Sequence, residues 1–237
     1  MFFRIIIFFF FFTSYFIVKS ENINLINQAD SLFESKKYTE AFELYAQVYE
    51  EGSASAAMLI KMAFIKEGLG DYTSALYYLD HYYKKTSNKR VLEKMYELAN
   101  ENNLEGFEFS DYKFAINTIA KYRTRLIFGL LGLAMFVFAL MMAKRTNGTR
   151  AIPWIACQVV ILIPALLILN GFFGDSEAIV GNDQTIAMDG PSAASEPLEL
   201  IAKGTKVKVI DANEIWTKIQ INETEAYVRS NRLLELF

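Results

Sequence analysis

The side chains with the greatest capacity for chemistry crowd into GDYTSALYYLDHYY, Gly70 to Tyr83, where five tyrosines surround His81, the only histidine of the chain. A histidine among phenols could act as a general base, a proton relay or a metal ligand, and each role needs a partner within hydrogen-bond reach. There is no second histidine to complete a metal site, and Asp80, adjacent in sequence, points to another face of a helix. Cys157 is the only cysteine and lies in an apolar run, which removes intrachain disulfides and thiolate metal sites. The H-E-x-x-H, C-x-x-C, G-x-S-x-G and phosphate-loop patterns are missing. The residues therefore point away from an enzyme and imply no cofactor or metal. His81 reads as structural, and the tyrosines as stacking between helices or as an exposed patch for a partner.

The elements that must carry these residues divide into blocks. The chain has 237 residues, 53% of them apolar, with a mean hydropathy of +0.18, which is high for a soluble protein. Residues 1–20, MFFRIIIFFFFFTSYFIVKS, have a short basic start at Arg4, an apolar core and small or β-branched residues at Val18 and Ser20. This pattern predicts a cleaved secretory signal, with an uncleaved anchor as the alternative. Two further apolar runs, 126–143 and 151–173, are long enough to cross about 30 Å of hydrocarbon as helices. The loop between them, 144–150, carries Lys144, Arg145 and Arg150, so the inside-positive rule predicts a hairpin with a cytoplasmic loop and both outer ends exported. Lys121, Arg123 and Arg125 run against that contrast, because they lie on the side read as exported. Every acidic residue falls outside the membrane block, sixteen of them between Glu21 and Ala120 and eleven from Asp175 on. Neither region has the basic face that nucleic-acid binding requires.

Residues 21–122 contain an internal repeat. KKYTEAFELYAQVYEE from Lys36 aligns with GDYTSALYYLDHYYKK from Gly70 at an offset of 34 residues. Gly70 can take the left-handed turn that ends one helix, Asp71 or Thr73 can cap the next, and Ala75 is small where two helices touch. Ala29 and Ala63 occupy the matching close-contact positions, while Tyr72, Leu76, Leu79 and Tyr82 are predicted as the buried stripe. Each unit is thus a helical hairpin, about 22–53 and 55–87, followed by a degenerate third unit, 88–122, whose last helix runs into the first crossing. The period and the G-D-Y-x-x-A turn resemble the tetratricopeptide family. That resemblance implies a partner groove lined by Ile26, Asp30, Phe33, Ile60, Phe64 and Glu67, flanked by Ile23, Glu34 and Ala57.

Residues 175–237 change to short alternating runs, EAIV, QTIAMDGPS, LELIAKGTKVKVID, IWTKIQI and EAYV, which predict a small β-barrel of five strands. The order G-P-S, G-T-K-V-K-V, W-x-K-I, A-Y-V and R-L-L-E-L resembles the bacterial SH3-like domain, with Ala226, Tyr227 and Val228 where that family usually has Gly-Trp-Val. Trp216 and Tyr227 read either as core and rim packing or as an aromatic cleft for a peptide or peptidoglycan. The fold class expected is a multi-domain membrane protein: all-α repeats, a transmembrane α-hairpin and an all-β small barrel. That order over nearly the whole chain resembles the BatE-type aerotolerance family. The resemblance implies an envelope-stress role in the bacterial inner membrane, with repeats and barrel on the periplasmic side. It also implies von Willebrand A-domain membrane proteins as partners and, through them, a MoxR-type ATPase. The residues themselves support a bilayer-held interaction protein with two binding modules.

Overall fold

The computed structural model describes residues 23–108, 110–145, 152–170, 176–221 and 224–236, so the segment 1–20, the loop residues 146–150 and the last residues of the run 151–173 lie outside the described residues. The chain divides into two compact units, one ending at Tyr82 and the other starting at Tyr83.

In the first unit, helices α1 (residues 23–34), α2 (Tyr38–Glu50), α3 (Ala56–Gly68) and the greater part of α4 (Tyr72–Thr86) form two hairpins with repeat-like packing. The turn inside each hairpin is duplicated bond for bond at the 34-residue offset. Lys36 (φ 62°) and Gly70 (φ 74°) both take the left-handed conformation. Lys37 N–H donates to Leu32 O and Asp71 N–H to Lys66 O, each at 2.9 Å, closing the six-to-one ring that satisfies a helix end. The second turn is better made. Asp71 accepts from the Ser74 amide at 3.3 Å, whereas Lys37 gives α2 no side-chain cap. Ser55 caps α3 by accepting from Met58 N–H. Ala29, Ala41, Ala63 and Ala75 are all buried where helices approach, and Tyr45, Val48, Met58, Met62 and Ile65 fill the core between them.

On α4 the buried stripe differs from the one predicted. Leu76 and Leu79 are buried, but Tyr72 is exposed and Tyr82 half-buried, while Tyr83, Thr73 and Asp80 are buried. The last turn of α4 is covered by a helix outside the two repeats: Asn117 donates to the Tyr83 carbonyl at 3.2 Å and to Ser87 Oγ at 3.1 Å.

The second unit continues with α5 (Lys89–Glu101), capped by Asn88 and burying Val91, Met95, Leu98 and Ala99. Then comes α6 (Asp111–Arg145), one continuous helix of 35 residues and about 52 Å. Its second half and α7 (Ile152–Leu169) are long and apolar enough to cross a membrane. They pack on each other around buried Ala134 and Ala165, and Gln158 donates to the Ala134 carbonyl at 3.2 Å. Asn170 sits exposed at the end of α7, its backbone N–H donating to Leu166 O at 3.0 Å.

The C-terminal part is an antiparallel sheet of seven strands in the order β3-β2-β6-β5-β4-β1-β7: β1 (Ser176–Val180), β2 (Thr185–Met188), β3 (Pro197–Ile201), β4 (Lys206–Ala212), β5 (Trp216–Ile221), β6 (Thr224–Arg229) and β7 (Leu233–Leu236). Five alternating runs become seven strands because LELIAKGTKVKVID breaks at Gly204 (φ 90°) into β3 and β4, and RLLEL pairs with β1 as β7. Its core is Ala178, Val180, Ala187, Ile201, Val207, Ile219, Ala226, Val228 and Leu233. Register irregularities at Ala187/Met188 and Val209/Asp211 mark bulges, the device by which a sheet bends.

Candidate functional site

In the first unit, α1 and α3 bring the six predicted groove residues to related positions, with unequal exposure. Ile26, Asp30, Phe33 and Glu67 are half-buried; Ile60 and Phe64 are exposed, Phe64 by 54%. Phe33, Phe64 and Tyr38 form an edge-to-face triad with centroid separations of 5.3, 5.7 and 5.8 Å. Such contacts contribute about 0.5–1.5 kcal/mol beyond burial. An exposed phenylalanine fixed by two other rings is a rigid apolar anchor, the type of group that dominates protein interfaces.

Beside this triad lies a polar pair. Lys61 Nζ is 2.8 Å from Asp30 Oδ1 and 5.3 Å from the Phe33 ring, and Tyr45 donates its hydroxyl to the same Asp30 oxygen. Burial pushes the Asp30 carboxyl up, but hydrogen bonds from Lys61 and Tyr45 and the Lys61 charge outweigh it and hold the group below the ordinary carboxylate range. Tyr45 moves the other way, because burial and then its bond to Asp30 favour the neutral phenol. Sequence reasoning did not find Lys61. Its signal was weak, one of two lysines in α3 and one helical turn before Phe64, and only the fold carries it across to Asp30 on another helix.

The tyrosine and histidine stretch makes a second cluster, between α2 and α4. Tyr49 Oη lies 2.8 Å from Tyr77 Oη and 3.4 Å from His81 Nε2, and the Tyr77 and His81 rings are 4.5 Å apart. Tyr78 stacks edgewise on Phe42 and Tyr49. Burial first, and then the Tyr77 hydroxyl, raises the pKa of Tyr49. Burial and the neighbouring Tyr77, Asp71 and Glu50 push Tyr78 up to about 12. Burial and these neighbours favour the neutral form of both phenols. Among the described residues no three His, Cys, Asp or Glu side chains are grouped to hold a metal ion.

In the sheet, Trp216 and Tyr227 are placed by register. Thr217 opposes Val228 and Ile219 opposes Ala226 on the core face, so Trp216 and Tyr227 point outward and are half-buried. Tyr227 lies between Lys218 of β5 and Met188 of β2. The Arg229 guanidinium sits 5.5 Å from the Trp216 ring. The outer face is thus aromatic and cationic, and it continues over Ile186 and Leu200, which are cross-strand partners and both exposed.

Two of the three basic residues ahead of the apolar stretch of α6 bond to helix ends. Lys121 donates to the Thr86 carbonyl at 2.6 Å, in the last turn of α4, and Arg123 donates to Leu169 O at the end of α7. Cations at helix C-termini satisfy orphan carbonyls and oppose the negative end of the helix dipole. Compared with known proteins, the chain matches no family model, no curated protein and no solved structure.

Proposed function

We propose that this chain is a membrane-held interaction scaffold of the bacterial cell envelope and has no catalytic role. In this reading α1 to α4 are two tetratricopeptide-type repeats, α5 and the start of α6 a degenerate third unit, α6 and α7 a transmembrane hairpin, and β1 to β7 an SH3-like barrel. Repeats and barrel face the periplasm. The observation that carries the reading is the duplicated turn: a left-handed φ, the same hydrogen bonds and buried alanines recur at 34 residues. Duplication of that kind builds an extended packing surface, and each further unit adds binding area with no reactive group. The exposed Phe64 and Ile60, with Phe33 behind them, are the surface a protein partner would cover.

Through its resemblance to the BatE-type aerotolerance family, the scaffold would work in a Bat-type stress complex. Its partners would be von Willebrand A-domain membrane proteins and, indirectly, a MoxR-type ATPase. A photoreactive amino acid in place of Phe64 or Ile60, activated in native membranes, should yield adducts with von Willebrand A-domain proteins. Adducts with none of them under envelope stress would remove this role.

A second reading has its own observation, the outward Trp216 and Tyr227 with Arg229 stacked on the indole. Here the protein is an envelope sensor that binds peptidoglycan or a wall peptide through the sheet. The full chain should then sediment with purified peptidoglycan, and Trp216→Ala with Tyr227→Ala should release it; no sedimentation of the unaltered chain rejects the sensor.

A further inference from the structure

Two aromatic and cationic rings mark the ends of the apolar hairpin. At one end, Lys121 Nζ lies 5.4 Å and Arg125 Cζ 5.8 Å from the centre of the Tyr122 ring. At the other, Lys144 Nζ of α6 lies 5.3 Å from the Trp154 ring of α7. From Tyr122 to Lys144 the helix rises about 33 Å, which matches roughly 30 Å of hydrocarbon. Tyrosine and tryptophan prefer that boundary, where the ring is apolar and the polar tip is wet.

The cations around Tyr122 are not equally engaged. Arg123 is turned to Leu169 O, and Lys121 gives one of its three N–H groups to Thr86 O. Arg125 makes no hydrogen bond or ion pair among the described residues; its guanidinium rests against the Tyr122 ring with its donors open. No acid is near on these helices: α7 has none, and the only one in α6 is Asp111, about four turns away and beside Lys89. An arginine at the edge of hydrocarbon finds its strongest acceptors in anionic oxygens, and the hairpin supplies none within reach of this one.

We propose that Lys121, Tyr122 and Arg125 form a headgroup site for anionic phospholipid, in the leaflet on the side of the sheet. The phosphate accepts from the Arg125 guanidinium and the remaining Lys121 N–H groups, while the Tyr122 ring lies at the level of the glycerol backbone. The site would hold the start of α6 at a fixed depth, and with it the turn of α4 that Lys121 and Asn117 bind. The proposal rests on α6 and α7 crossing a bilayer.

Native mass spectrometry of the full chain, released from vesicles of equal phosphatidylglycerol and phosphatidylcholine with matched tails, tests it. The wild type should retain phosphatidylglycerol in preference. Lys121→Gln with Arg125→Gln should lower that retention about fivefold per charge removed, at roughly 1 kcal/mol for each surface cation. Arg125→Lys should restore part of it. Equal retention of both lipids by the wild type, or unchanged preference in the double variant, would overturn the site. Displacement of the retained lipid by inorganic phosphate would overturn it as well, since the site would then be one for free phosphate. Alkaline carbonate extraction of the same membranes reports separately on the hairpin: a chain that resists extraction but shows no lipid preference rejects the headgroup site alone.

Discussion

Lys36 stands where the better-made repeat has Gly70, and it takes the same left-handed φ that costs a side chain about 1 kcal/mol. Lys36→Gly should therefore protect the amides of 23–50 by up to about 1 kcal/mol in hydrogen exchange, and Gly70→Ala should lose a similar amount in 56–86. No atom lies within 4 Å of a Cβ at Gly70, so that loss would come from the backbone alone. Titration gives a second residue-scale test. Asp30 is held below its unfolded pKa, so its contribution is complete above the ordinary carboxylate range and fades as pH falls through the folded value. The acid-side loss of exchange protection in α1 and α3 should be shallower in Asp30→Asn than in wild type. The buried phenols have the opposite sign. Tyr78, raised to about 12, contributes fully below about pH 10 and loses its contribution as pH rises toward 12. Tyrosinate absorbance should show a late-titrating group that Tyr78→Phe reduces.

Among the elements, the connection from α5 to α6 is held at several points. Glu105 O accepts from the Lys206 amide at 2.9 Å, Phe107 is buried, and Lys206 reaches over the Phe107 ring to Glu177 at 2.6 Å. Gly106 has φ 86°, and a Cβ there would stand 2.1 Å from the Lys206 carbonyl oxygen, so the linker cannot hold this path with a side chain. Gly106→Ala should release it, seen as faster exchange at Lys206 while the amides of β5 and β6 stay protected. How much of these elements was legible in the sequence depended on where their signals came from. The two repeat hairpins, the α6 continuation and the small alanines follow from local periodicity and turn chemistry, which a sequence displays directly. The burial of Tyr83 in place of Tyr82 does not, because it depends on the packing at the end of α4, where Asn117 of α6, distant in sequence, binds the Tyr83 carbonyl. That β3 is a strand separate from β4 was hidden for another reason. Four of the five β3 residues are exposed, so the edge strand shows no inward alternation to read. At the candidate sites, Phe33, Phe64, Trp216 and Tyr227 could be named from motif position, but the Asp30–Lys61 pair and the outward direction of Trp216 required register and packing.

For the whole molecule, the sequence of blocks matters more than any single group. Two helices long and apolar enough to span a membrane stand between a helical repeat region and a sheet. In the proposed arrangement a hairpin returns the chain to the side it left, so both interaction modules share one compartment. The latches fit that arrangement: Arg123 binds the end of α7, and Lys144 lies over Trp154 near its start. Replacing Gln158 by Leu should loosen the hairpin by only about 0.6 kcal/mol, because small-residue packing at Ala134 and Ala165 remains. The account is tested most directly by labelling single cysteines, in a Cys157→Ser background, from each side of intact and opened cells. Ser35→Cys and Ser192→Cys should react with an impermeant reagent from the outer side of the inner membrane, and Asn147→Cys only after the membrane is breached. Labelling of Asn147→Cys from the same side as the other two, or of Ser35→Cys and Ser192→Cys from opposite sides, would contradict it.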